Sequence, residues 1–296
     1  MRTRNCNKVT QSFKDVKNLI KSKKARDEQG LFVTEGIKIF SETPMDRVEA
    51  VFATAEFAGE HPEMISGIPA GTECVLDVRA DRFAGISDTK SPQGIIAVVR
   101  KKKYTLSDIL GLPGQQSEVP GGSNREECGN DRITGRRAAP LVIVLENLQD
   151  PGNAGTILRT AEAAGVSGVI LTEGSVDLYN PKVTRSTMGC IFRMPHLVVK
   201  SMDELLPELR AAGITTYAAH LRGSRSHFEG NYTGGTAFFI GNESRGLSDE
   251  LSKKLDVLMK IPMSGKVESL NAAMAAGILM YEAKRQRIAA GCDFSE

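Results

Sequence analysis

No two of the five cysteines (Cys6, Cys74, Cys128, Cys190, Cys292) stand in a CxxC spacing, and their number is odd. That excludes a disulfide framework and a zinc site built on thiolate pairs, and it fits a reducing compartment. The four histidines (His61, His196, His220, His227) show no HExxH or other ligand spacing, so no metal is expected. No stretch reaches the roughly 18 consecutive apolar residues of a membrane span. The basic N-terminal segment also lacks an apolar core followed by a cleavage site, and a cytoplasmic, unanchored protein is the expectation. The usual nucleotide signatures are missing too. The apolar run LVIVLE at 141–146 leads into NLQDPGNAG instead of GxGxxG, and GNESRGLS at 241–248 puts Leu247 where a P-loop requires lysine. Without a GxSxG elbow, a Ser-His-Asp hydrolase also loses its support.

What is present is a folded chain of 296 residues, 41% hydrophobic and 25% charged, enough for one large domain or two ordinary ones. A net charge of +2 is too small to diagnose a polyanionic partner, but the charges are unevenly placed. Residues 1–30 hold nine Lys or Arg against three acids, and Arg100, Lys101, Lys102 and Lys103 form a second run. Either these are solvated faces or they form a phosphate-binding surface.

The clearest boundary is the stretch 111–140, with six glycines, three prolines and no apolar period, which reads as a linker or insertion. The expected organisation is an N-terminal domain over 1–103, a linker over 104–139 and a second domain over 140–296. Short apolar runs at 31–33, 51–54 and 94–99 predict a small α/β domain on the N-terminal side. After the linker, continuous apolar runs at 141–146, 168–171, 196–199, 215–219, 237–241 and 257–263 predict strands buried on both faces. Helical segments are expected between them at 154–164, 181–189, 202–212 and 247–255, with a final helix over 269–288. The βα alternation argues for a mostly parallel, doubly covered sheet. On the last helix, Leu270, Met274, Ile278 and Tyr281 share one face. Ala272, Ala273, Ala275, Ala276 and Gly277 leave much of the remainder small, which suits close approach of another helix.

In such sheets ligands bind beyond the carboxyl ends of the strands. Three of these ends carry polar and glycine-rich clusters: ENLQDPGNAGTILRTAEAAG (146–165), FFIGNESRGLS (238–248) and IPMSGKVESLNAA (261–273). Singly, each has an ordinary explanation: turn glycines at 152 and 155, Asn153 as a helix cap, Arg159 as an exposed helical arginine, Ser269 as an N-cap with Asn271 in its first turn. Jointly, NxxxxxR, GNExxG and SLN, in this order and near these spacings, resemble the three motifs of the SpoU-type RNA 2′-O-ribose methyltransferases of the SPOUT superfamily. The resemblance covers 140–290. It extends to VKNLIKSKKARDEQGLFVTEGIKIFSE (16–42) and SPQGIIAVV (91–99), similar to the start and end of the family's substrate-binding domain.

The resemblance implies an α/β fold with a trefoil-knotted, mostly parallel sheet, preceded by a smaller α/β domain resembling the ribosomal L30e-like fold. It implies S-adenosylmethionine as cofactor, RNA as substrate with ribosomal RNA preferred, and a homodimer. Asn153, Arg159, Ser269, Asn271 and Glu243 take the catalytic positions, with Arg159 acting on the 2′-hydroxyl together with a neighbouring RNA phosphate. Because an arginine stays protonated, charge stabilisation and phosphate alignment suit it better than proton abstraction, and the identity of the base stays open. Gly241, Ile261, Leu270, Gly246, Met263 and Ala219 match the cofactor-gripping positions. Lys14, Lys17, Lys21, Lys23, Lys24 and Arg26 become the RNA-binding patch. The alternatives are a tRNA 2′-O-methyltransferase and a non-catalytic RNA-binding or ribosome-assembly module.

Overall fold

The computed structural model describes residues 6–112, 138–266 and 268–292, with the backbone alone for 6–12. Most of the Gly- and Pro-rich stretch, residues 113–137, lies outside them, as does Val267. The N-terminal elements are α1 (Cys6–Lys21), α2 (Lys23–Gln29), β1 (Leu31–Glu35), α3 (Ile37–Ser41), β2 (Val48–Ala53), α4 (Ala55–Glu60), α5 (Pro62–Ser66), β3 (Glu73–Val75), α6 (Ala80–Ala84) and β4 (Ile95–Arg100). Then come α7 (Leu106–Leu110), β5 (Leu141–Leu145), α8 (Pro151–Ala164), β6 (Gly168–Thr172), α9 (Pro181–Ser186), β7 (His196–Val199) and α10 (Met202–Ala211). The last are β8 (Thr215–Ala219), β9 (Arg225–Ser226), β10 (Thr236–Ile240), α11 (Asp249–Ser252), β11 (Val257–Lys260) and α12 (Ala272–Ala289). The chain divides into two compact units, one comprising residues through Lys103 with Leu148–Arg159 and Ser175–Met194, the other Tyr104–Asn147, Thr160–Gly174 and Pro195 onward.

In the first unit a four-stranded sheet has the order β1-β4-β2-β3. β4 is antiparallel to β1 and β2, and β3 is parallel to β2. α1 is amphipathic: Val16 and Leu19 enter a core with Val33, Phe52, Phe83 and Ile96, while Lys14, Lys17 and Lys21 face outward. Ser22 caps α2 by accepting from the Ala25 N–H, and Gly30, at φ 66°, ends it in the left-handed conformation glycine adopts without cost. The Ser175–Met194 segment belongs to this unit through side-chain contacts, with the Phe32 ring 4.7 Å from that of Tyr179 and Arg193 paired to Glu42 at 2.5 Å. α9 stops at Ser186, short of the expected 189, where Met188 and Gly189 take φ of 53° and 94°. A Cβ on Gly189 would stand 2.7 Å from the Glu42 side chain.

The second unit is built on seven strands ordered β7-β6-β5-β10-β8-β11-β9, and every pairing among them is parallel. The six apolar runs are strands β5, β6, β7, β8, β10 and β11, with β5 and β10 buried at every residue. Val142, Val144, Ile170, Ala218 and Phe239 share one core with Leu205, Leu206 and Leu209 of α10. Full burial of each Val, Leu, Ile or Phe side chain among them contributes about 1.5–3 kcal/mol. Ile109 and Leu110 of α7, inside the stretch expected to be linker, are buried in the same core.

α12 packs inward through its small residues: Ala272, Ala273, Ala276 and Ala283 are buried within this unit. The stripe read as its apolar face points outward, with Met274 and Tyr281 61% and 50% exposed and Ile288, one heptad further, 53% exposed. Arg287, in the last turn of α12, is buried. It is 1% exposed and donates to the carbonyls of Tyr232, Ala139, Pro140 and Gly234.

Candidate active site

Strands β5, β10, β8 and β11 are consecutive parallel neighbours, in register at Leu145 with Ile240, Phe239 with Ala218, and Ala219 with Met259. The loops that follow them therefore leave one edge of one sheet, the carboxyl edge where open α/β sheets bind ligands. Ala219, Gly241, Glu243, Gly246, Ile261, Met263, Ser269, Leu270 and Asn271 all lie on or beside these loops.

The loop after β10 is rigid for reasons visible in its sequence. Gly241 is buried, and a Cβ there would sit 2.0 Å from the Gly246 carbonyl carbon and 2.1 Å from the Leu247 nitrogen, so only glycine fits. Asn242 closes the turn. Its backbone bonds Gly246 in both directions, at 3.1 and 2.8 Å, and its Oδ1 accepts from the N–H groups of Ser244 and Arg245. Gly246 takes φ 69° to complete it. Glu243 is exposed at the loop's tip.

The loop after β5 is tied to this turn. The Asn242 Nδ2 donates to the Asn147 carbonyl at 2.9 Å. The Glu146 carboxylate accepts from the Ser248 N–H at 2.7 Å and from its hydroxyl at 2.6 Å. Asn147 itself is at φ 53°, a region where asparagine is the best tolerated non-glycine residue, and it is braced by Thr172 at 2.9 Å. The motif reading assigns no catalytic or cofactor role to Asn147, Asn242, Ser248 or Glu146; an Asn directly after a strand-end glycine is the turn signal that marks Asn242. Glu146→Ala removes both ties. It is expected to cost about 1–2 kcal/mol of stability in chemical denaturation, with Glu146→Gln recovering part of it through one retained acceptor.

Beyond β11, the main chain of Pro262–Lys266 and Glu268–Leu270 enters no backbone-to-backbone hydrogen bond among the described residues. Met263, Ser269 and Leu270 are exposed there, and Ile261 is half-buried. Main-chain amides and carbonyls without a backbone partner among the described residues, beside apolar side chains, fit a ligand gripped by main-chain groups. Asn271 ends the run, and it, not Ser269, is the N-cap of α12: its Oδ1 accepts from the N–H groups of Ala273 and Met274 at 2.9 and 3.2 Å.

Asn153 and Arg159 belong to the first unit, on α8. The helix begins at Pro151, earlier than expected, because proline suits the first helical position and the Asp150 carboxylate accepts from the Asn153 N–H at 2.8 Å. Asn153 is thus an interior residue, not the cap. Gly155 is no turn glycine either; a Cβ on it would meet the Ser186 hydroxyl at 1.9 Å. Six residues separate Asn153 from Arg159, which is about 9 Å of rise and a different helix face. The Arg159 side chain is exposed and makes no hydrogen bond or ion pair among the described residues.

Of the basic patch, Lys14, Lys17 and Lys21 line one face of α1 at spacings of three and four, and Lys23 and Lys24 are exposed on α2. Arg26 is a correction. It is 2% exposed, its guanidinium donates to Asp177 at 2.6 and 2.9 Å and to the carbonyls of Leu19 and Ile20, and it holds the fold together instead of facing a polyanion.

The second unit also carries an acid-sensitive cluster. Burial pushes His227 below its ordinary value, and hydrogen bonds from Arg285, ahead of an opposing burial effect, hold Glu282 below the carboxylate range. Both folded values are depressed, so both groups stabilise the fold above their unfolded pKa and lose that contribution as pH falls through the folded one. Thermal midpoints are expected to decline from about pH 6.5 downward and more steeply below about pH 4.5, with His227→Asn flattening the upper part.

Comparison with known proteins adds to this geometry. Residues 140–281 match the model of the SpoU rRNA Methylase family, and residues 11–97 match an MRM3-like substrate binding domain. A 23S rRNA (guanosine(2553)-2′-O)-methyltransferase, RlmP, of Bacillus subtilis (strain 168) is 30% identical over 272 residues, spanning 92% of this chain and 95% of that protein. This chain belongs to the SpoU rRNA methylase family. A 23S rRNA (uridine(2479)-2′-O)-methyltransferase of Streptomyces viridochromogenes is 38% identical over 210 residues, covering 68% of this chain and 73% of that one. The SpoU methyltransferase AviRb from Streptomyces viridochromogenes, crystallised with AdoMet, superposes with a TM-score of 0.77 at 27% identity, over 96% of this chain and 99% of that one. The family's α/β fold with a parallel sheet and an N-terminal substrate-binding domain is the fold of this member.

Proposed function

We propose that this chain transfers the methyl group of S-adenosylmethionine to a ribose 2′-hydroxyl of large-subunit ribosomal RNA. The observation that carries this reading is the near full-length similarity to a 23S rRNA 2′-O-methyltransferase. The three motif loops of the chain supply the chemistry it needs.

The cofactor supplies an electrophilic methyl group. Gly241 and Gly246 on the second loop, Ile261, Met263 and Leu270 on the third, and Ala219 at the end of β8 are the residues that would hold it, largely through main-chain groups. Most of the remaining task is positioning, since aligning two reactants removes a large part of a displacement barrier. Ser269 and Asn271 orient the acceptor ribose and its phosphate. Arg159, a permanent cation, stabilises the oxygen as its proton leaves and aligns the neighbouring phosphate. Asn153 orients the ribose, and Glu243 shapes the second loop. Residues 140–296 form the transferase, with residues 1–103 gripping RNA through Lys14, Lys17, Lys21, Lys23 and Lys24.

β10 follows β8 and β9 in the chain yet enters the sheet between β5 and β8, an order compatible with the family's trefoil knot. The outward stripe of Met274, Tyr281 and Ile288 is of the kind a second copy covers, which supports a homodimer.

The test is methyl transfer from labelled S-adenosylmethionine to separate pools of unmodified rRNA and tRNA. Label in 23S rRNA alone is the expected result. Label in tRNA alone would reassign the substrate, and binding of RNA without transfer would favour a non-catalytic assembly module.

A further inference from the structure

A second feature of the first unit borders the basic patch, sharing Lys14 and Lys17 with it, and has no part in the motif loops. Phe13, Lys14, Lys17, Arg82, Gly85 and Ile86 enclose a shallow groove of about 270 Å³ between α1 and α6. Its floor is apolar: Ile86 is buried, and the half-buried Phe13 ring packs on the core with its centroid 5.3 Å from that of Phe52. Its rim is cationic. Lys14, Lys17 and Arg82 are exposed and form no ion pair among the described residues. Asp81, the acid beside Arg82, is already engaged by Arg79 at 3.1 Å.

We infer that this groove receives one unpaired nucleotide of the substrate RNA, its base against Phe13 and Ile86 and its phosphates against Lys14, Lys17 and Arg82. This rests on the RNA-substrate reading and adds to it a contact that selects single-stranded over helical RNA. Charge complementarity favours this occupant: three exposed cations, none ion-paired among the described residues, around an apolar floor match a planar apolar base flanked by anionic phosphates. A uniform lysine face would bind duplex and single strand through phosphates alone, whereas an aromatic floor adds stacking that only an unstacked base can use.

The full chain is titrated with a fluorescent single-stranded oligoribonucleotide and with a hairpin duplex, over a salt series. Arg82→Ala is expected to weaken single-strand binding about 3- to 10-fold and to lower the salt slope by about one. Phe13→Leu keeps an apolar floor but loses the ring. It is expected to weaken single-strand binding about fivefold or more with an unchanged salt slope and unchanged duplex binding. Lys38→Ala, an exposed lysine on α3 outside the groove, controls for charge and should stay within about twofold of wild type. Single-strand affinities of Arg82→Ala and Phe13→Leu equal to wild type, in a chain that still binds RNA, would overturn the groove assignment alone. Displacement of the RNA from the groove by a polyglutamate peptide at matching concentration would overturn it in favour of an acidic protein partner. A wild-type chain that binds no RNA would overturn both this inference and the substrate reading beneath it.

Discussion

Arg159→Ala is expected to lower the rate of methyl transfer at saturating substrates by about 10²–10³-fold, the range seen when one preorganised donor to a developing negative charge is removed. The expectation rests on chemistry and placement together. A 2′-hydroxyl is a weak acid, and its oxygen becomes a competent nucleophile only as its proton leaves. A cation that never deprotonates stabilises that oxygen throughout the step. Arg159 has no carboxylate or carbonyl partner among the described residues, so its charge is not already spent on the fold. Because it is exposed, its loss should leave the folded state within about 0.5 kcal/mol of wild type. Arg159→Lys keeps the charge but not the planar fork, and recovers only part of the rate. Near-normal turnover in Arg159→Ala would remove this residue from the mechanism.

The second large effect is on stability. Arg26→Ala is expected to destabilise the fold by about 3–5 kcal/mol, because removing one partner of a buried pair leaves the other charge uncompensated. The side chains of Arg26 and Asp177 are only 3% and 12% exposed. The guanidinium also satisfies the Leu19 and Ile20 carbonyls, acceptors that would lose their partner with it. Asp177→Asn in the Arg26→Ala background removes the stranded charge and should restore part of the loss in chemical denaturation. A single Arg26→Ala variant with normal stability but weak RNA binding would return this residue to the RNA-binding patch.

Arg26 also shows where a sequence stops being legible. Nothing in SKKARDE distinguishes a solvated arginine from one that reaches a carboxylate 151 residues away; long-range pairing leaves no local period. The strands of the second unit were readable because burial on both faces leaves unbroken apolar runs, and the six runs fall on six strands. The two-residue β9 and three-residue β3 are too short to carry any pattern. On α12 the apolar stripe was visible but its direction was not, since alanines pack inward as readily as larger residues and free Met274 and Tyr281 to face out. The candidate site was legible as motifs. Its scaffold was not, because Glu146 with Ser248, and Asn147 with Asn242, are pairs about a hundred residues apart made by strand order alone.

The central claim is that the methyl group goes to the ribose oxygen and not to a base. A 2′-O-methyl group blocks attack of that oxygen on the adjacent phosphodiester, so alkali leaves the modified linkage intact. After transfer of labelled methyl to 23S rRNA and complete alkaline hydrolysis, the label is predicted to migrate as a single alkali-resistant dinucleotide. Label recovered in a mononucleotide with a methylated base would contradict the assignment of Arg159, Ser269 and Asn271 to a ribose hydroxyl.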